Sequence, residues 1–231
     1  MSEFPTLEVV DRDGAIREAA EAAGIDRRNF LRTGAIAGGG IVAGSAFFGL
    51  LDAAEAKIST KRPSKKNDIK ILNYALTLEF LEAAFYEQAV RNQVAQSDPV
   101  VAKFAAVVAA HEAQHVKFLK KALGSKAVDE PTFDFGDTVT DLAKFKATAQ
   151  VLEDTGVSAY AGQGPNIKQR PVVQAALSIH SVEARHAAWI RFLNYGGTGT
   201  DANLPAPADF DKALSEKKVL KAVTGTGFIK G

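Results

Sequence analysis

Two chemistries compete for the stretch His111-Glu112-Ala113-Gln114-His115. Read as H-E-x-x-H on a helix, it places His111 and His115 on one face as zinc ligands, with Glu112 as the general base of a zinc protease. Read as Glu112-x-x-His115, it is half of a carboxylate-bridged dinuclear site in a helix bundle. Glu183-Ala184-Arg185-His186 repeats the second spacing without a histidine before its glutamate. The zinc reading has no use for that copy. It also lacks the longer protease signature, because residue 118 is Phe, no third histidine follows at the required spacing, and Glu130 lies in a stretch with no helical period. Only the dinuclear reading requires both copies.

Four helices must position these groups. The first is expected from Asp68, as its N-cap, to Asn92, with Leu72, Ala75, Glu79, Glu82, Tyr86 and Ala89 on its apolar stripe. Asp98-Pro99 starts the second and Leu123-Gly124 ends it, with Val101, Ala105, Val108, Glu112, His115, Leu119 and Ala122 facing inward. From Ser125 to Gly136 no helical period is present. That linker could stretch roughly 40 Å, about the length of a 25-residue helix, so it can carry the chain from one end of a bundle to the other and leave helices two and three parallel. Phe133 and Phe135 would pin it down. The third helix is expected over Asp137 to Ala161, with Leu142, Phe145, Ala149, Glu153, Gly156 and Tyr160 inward. The fourth runs from Arg170-Pro171 to Gly196-Gly197, with Val172, Ala176, Ile179, Glu183, His186, Ile190 and Leu193 inward. A tail holding Pro205 and Pro207 follows, then a short helix capped by Ser215 that packs outside the bundle through Phe210, Leu214 and Leu220.

The helices match in pairs. Tyr86 follows Glu79 by seven residues and Tyr160 follows Glu153 by seven, while helices two and four each carry Glu-x-x-His. The chain therefore reads as two helix pairs about a pseudo-two-fold axis. An unpaired ionised glutamate inside an apolar bundle costs several kcal/mol, so four on core stripes would outweigh a typical domain's net stability. Two divalent cations offset that cost, with two glutamates bridging, two terminal, and one histidine on each ion. Glu82 competes with Glu79 for the place on helix one. Tyr86 and Tyr160 lie about 10 Å along the axis from their own helices' glutamates. Each either reaches a carboxylate of the opposite pair or fills the bundle. His180, one turn before Glu183, could orient a carboxylate or relay protons. His111 points about 100° away from Glu112, toward a surface or interface. Gly156 either lets helices approach or leaves room for O2 or peroxide.

Composition narrows the chemistry. The 231 residues are 46% apolar and 24% charged with a net charge of +1, which gives no reason to expect nucleic acid as a partner. The absence of cysteine excludes disulfides and iron–sulfur clusters, and the lone methionine, Met1, leaves no axial methionine for haem. Any metal must be held by oxygen and imidazole nitrogen.

Residues 1–56 read as a signal peptide. Asp26-Arg27-Arg28-Asn29-Phe30-Leu31-Arg32 resembles the twin-arginine consensus, an apolar run from Thr33 to Leu51 follows, and Ala54-Glu55-Ala56 is an A-x-A cleavage site. Cleavage after Ala56 by way of the Tat translocase predicts a periplasmic or extracellular product; retention as a signal anchor is the competing reading. Residues 57–67 are expected to be a solvated basic linker, 68–196 the bundle and 197–231 the tail. Tat substrates fold before export, so iron or manganese can enter first, where a weakly selective site assembled outside would take copper or zinc.

The stretches Asn73 to Tyr86, His111 to His115, Asp154 to Tyr160 and Glu183 to Trp189 together resemble the exported ferritin-like domain family related to plant desiccation-associated proteins, over Asp68 to Tyr195. The resemblance implies an all-α, ferritin-like four-helix bundle with a long crossover between helices two and three. It implies Glu79, Glu112, His115, Glu153, Glu183 and His186 as ligands of two iron or manganese ions. Glu79 is preferred to Glu82 because in bacterioferritin and rubrerythrin a tyrosine follows the first ligand by seven. The expected activity is redox chemistry on O2 or peroxide, of ferroxidase, peroxidase or catalase type. The alternative is a non-enzymatic metal-binding or stress-protective protein. Homo-oligomerisation stays open.

Overall fold

The computed structural model describes residues 58–60, 62–198 and 200–230. The expected signal peptide, residues 1–56, and its expected cleavage site lie outside them. Side chains that accept backbone N–H groups set the starts of the first three long helices. Helix α1 spans Lys65–Arg91, and the Ser64 hydroxyl accepts from the Asn67 N–H at 3.1 Å. Its cap thus lies four residues before the expected one, Asp68. Asp68 is not the cap; its carboxylate accepts from the N–H groups of Lys168 and Gln169 at 2.8 and 2.9 Å and ties down the approach to the fourth helix. Helix α2 spans Pro99–Leu123, with Asp98 accepting from Val100 and Val101 as its sequence requires. Helix α3 spans Leu142–Gln163 and starts later than expected, because Gly136–Val139 forms a separate 3-10 turn and Asp141 supplies the cap to Lys144. Helix α4 spans Arg170–Tyr195 and stops at Gly196, whose φ of 67° is left-handed.

Paired contacts give the helix directions. Along α1 and α2, Phe80 lies under Lys120 and Tyr86 meets Phe104, so the two run antiparallel. Gln150 with Asn194 and Asp154 with Arg191 give the same relation for α3 and α4. Glu79 with Tyr160 and Tyr86 with Glu153 make α1 antiparallel to α3 as well. Helices α2 and α3 are therefore parallel, and the crossover between them is the long connection that the linker length allows. Phe135, 2% exposed, holds it against Phe85, and Phe85 stacks on Phe145 in the same aromatic layer.

One contact of the crossover has no counterpart in the local pattern. Thr132–Phe133 (β1) pairs antiparallel with Ile229–Lys230 (β2) near the chain's C-terminal end, and Phe228 packs on Phe135. Helix α5, Glu216–Gly225, follows Ser215 and buries Val219 and Val223, while Leu214 and Leu220 are partly buried. Phe210, expected as an anchor, is 66% exposed. The tail approaches α3 so closely that a Cβ on Gly162 would lie 1.8 Å from the Leu214 carbonyl oxygen. The basic linker is not wholly solvated either: Ile58 is a core residue, and its N–H donates to Glu216 at 3.2 Å. Among the described residues no helix is long and apolar enough to cross a membrane.

Candidate metal centre

Each of the four long helices sends a carboxylate to the same depth of the bundle. Glu79 from α1, Glu112 from α2, Glu153 from α3 and Glu183 from α4 are all 0% exposed. The Nδ1 atom of His115 lies 3.2 Å from Glu79 Oε2, 3.1 Å from Glu112 Oε2 and 3.0 Å from Glu183 Oε1. The Nδ1 atom of His186 lies 3.1 Å from Glu112 Oε1, 3.3 Å from Glu153 Oε2 and 3.7 Å from Glu183 Oε2. Two donor groups result, Glu79/Glu112/His115/Glu183 and Glu112/Glu153/Glu183/His186, the ligand atoms of each lying within 4.8 Å of one another. Glu112 and Glu183 belong to both, and each turns one oxygen to either group.

The tyrosines cross between α1 and α3. Tyr86 donates to Glu153 Oε1 at 2.5 Å, and Tyr160 donates to Glu79 Oε1. Glu79 and Glu153 thus each use one oxygen for a tyrosine and the other for the imidazole side.

Short separations in this cluster are not all hydrogen bonds. Glu112 Oε1, Glu153 Oε2, both oxygens of Glu183 and His186 Nδ1 are buried without a hydrogen-bond partner among the described residues. Buried polar atoms are almost always satisfied, so this concentration of exceptions, all aimed inward, is what a divalent cation's donor set requires. Without a cation, protons must do the same work. Burial, then the charge of Glu183, pushes the Glu79 carboxyl well above its usual range. Burial raises Glu153 to about 8 against the opposing His186. Burial also works to raise Glu112, but His115 and His186 hold it down to about 2. Burial alone would lower both imidazoles; the surrounding carboxylates, Glu112 first, push His115 and His186 up to about 12. Carboxylic acids beside imidazolium ions are the proton-loaded form of a metal site. The cluster is compatible with a dinuclear metal centre.

The remaining candidates fall at different distances. Glu82 is buried but stands outside both donor groups, its carboxyl raised well above the normal range by burial and by the charges of Glu183, Glu153, Glu112 and Glu79. Gly156 makes room for it: a Cβ there would come within 3.2 Å of Glu82 Oε1. His180 turns away from the cluster, with Nε2 3.9 Å from Asp211 in the tail. His111 is exposed on one side, as its helical angle suggests, yet its Nδ1 lies 2.9 Å from His186 Nε2. The sequence reading missed that contact. The signal was present in the register, because an antiparallel α2 and α4 with their two motifs level put residue 111 beside residue 186. The H-E-x-x-H zinc geometry is absent, since His111 joins neither donor group.

No curated protein matches the chain. A model of the ferritin-like domain matches residues 67–196, the same span that holds the four helices and both donor groups, and with more than half of its length covered the chain belongs to the ferritin-like domain family.

Proposed function

We propose that the bundle holds two iron or manganese ions and uses them in redox chemistry on O2 or peroxide. The observation that carries this reading is the division of Glu112 and Glu183, each with one oxygen toward His115 and the other toward His186. Two carboxylates shared in that way suit a pair of ions better than a single one. Glu79 and His115 would complete one position, Glu153 and His186 the other. The bound pair would supply two one-electron couples side by side, enough for the two-electron reduction of O2 or peroxide.

The chain's own residues prepare the centre for that work. Tyr86 and Tyr160 hold the two terminal carboxylates from their outer oxygens, which leaves the inner oxygens to the ions. Aromatic and aliphatic layers, with Phe85, Phe104, Phe145 and Ile190 all 0% exposed, keep bulk water away. In the metal-free chain burial and the surrounding carboxylates raise the Glu82 carboxyl well above its ordinary range, which favours a proton there, beside the cluster. Anaerobic loading with Fe(II), then O2 or H2O2, tests the proposal: two metal equivalents per chain and repeated oxidant consumption are expected.

The complete burial of all four carboxylates favours one other reading, a closed metal staple that stabilises the fold without turnover. Two bound equivalents with no oxidant consumption would select it.

A further inference from the structure

We propose that His111 is a positioning residue for His186, so that the two ion positions differ in affinity; this rests on the two-ion reading above. The His186 Nδ1 faces Glu112, Glu153 and Glu183 and, on that two-ion reading, is the nitrogen that would ligate. A neutral imidazole that ligates through Nδ1 carries its proton on Nε2. That nitrogen lies 2.9 Å from His111 Nδ1, with the ring planes 18° apart and the centroids 5.1 Å apart. His186 Nε2–H therefore donates to His111 Nδ1, and His111 keeps its own proton on Nε2. The contact fixes both the tautomer and the ring angle of the ligand.

The pseudo-two-fold axis provides an internal control. His111 immediately precedes Glu112, and the residue that immediately precedes Glu183 is Val182, which has no polar atom in its side chain. Among the described residues no side chain takes the Nε2 of His115; its hydrogen bonds all run from Nδ1. The side chain of His115 is 12% exposed and that of His186 is 3%. One imidazole is thus braced and enclosed, and the other is braced only by its ligand partners. The Glu153/His186 position becomes the tighter one, and the Glu79/His115 position the one that loads last and empties first.

Cobalt(II) titration of the chelator-treated full chain, followed by visible absorption, tests this in two backgrounds. Glu79→Gln leaves the His186 position and Glu153→Gln leaves the His115 position. His111→Leu should weaken cobalt binding about 10- to 100-fold in the Glu79→Gln background and leave the Glu153→Gln background unchanged. His111→Gln, whose amide oxygen accepts from Nε2–H, should recover most of the loss. An equal effect in both backgrounds, no effect in either, or a glutamine variant as weak as the leucine variant would overturn the proposal. Far-UV circular dichroism separates these results from unfolding. A wild-type chain that takes up no cobalt would instead remove the two-ion reading beneath it.

Discussion

At the residue scale, the choice between Glu79 and Glu82 is a contest between two buried carboxyls one turn apart. Glu79 has an oxygen 3.2 Å from His115 Nδ1 and belongs to a donor group; Glu82 belongs to none and meets only like charges. Glutamine, nearly the same shape as a protonated glutamate, distinguishes them. Glu79→Gln should lose one metal equivalent, whereas Glu82→Gln should keep both and, in the metal-free chain, unfold within about 1 kcal/mol of wild type, since burial and neighbouring carboxylates raise the Glu82 carboxyl so far that an amide mimics it. Metal analysis with urea melts reads both outcomes. The tyrosine braces differ in kind. Tyr86→Phe deletes a charge-assisted hydrogen bond to Glu153, so it should cost about 1.5–3 kcal/mol in the metal-loaded protein, measured by chemical denaturation.

At the element scale, what the sequence shows and what it hides follow from the range of the interactions. The stripes of α1 to α4 are local, and a carboxylate at a core-facing position is conspicuous at a period of 3.6 residues; Glu112, Glu153 and Glu183 stand out for that reason. The Asp98-Pro99 start is local too. The α1 start is hidden from the local pattern because Asp68 has the chemistry of a cap but spends it on Lys168 and Gln169, a hundred residues on. Thr132 and Lys230 pair across a similar distance, and a two-residue strand has no period to detect. The tail's seat on α3 depends on Gly162, whose hydrogen atom faces the Leu214 carbonyl. Gly162→Ala forces that carbonyl away and should release the 197–230 segment. Limited proteolysis should then cut the tail first, with the α1–α4 bundle still protected; a tail as resistant as in wild type would contradict the contact.

At the scale of the whole molecule, the expected export signal and the buried centre are tested separately. Arg27→Lys with Arg28→Lys is expected to hold the precursor in the cytoplasm, read by fractionation, because a twin-arginine signal requires the pair. The folded centre then also answers to pH as a unit. The Glu153 carboxyl moves from 4.5 to about 8, with Glu79 and Glu82 displaced the same way, so the folded metal-free chain holds protons that the unfolded chain has released. His115 and His186, moved from 6.5 to about 12, have the same sign: their contribution is complete below pH 6.5 and is lost as pH rises. Glu112 has the opposite sign, since its fall from 4.5 to about 2 stabilises only above pH 4.5 and fails as pH drops toward 2. The metal-free protein should therefore be most stable near pH 4.5 and lose melting temperature steadily up to pH 8. Divalent cations bound there would replace those protons, and ligand deprotonation would then help binding, so the metal-loaded protein should hold or gain melting temperature across the same interval. Thermal melts with chelator and with manganese at both ends of the interval measure the two slopes. Parallel slopes would mean that the carboxylates and imidazoles do not exchange protons for metal at all.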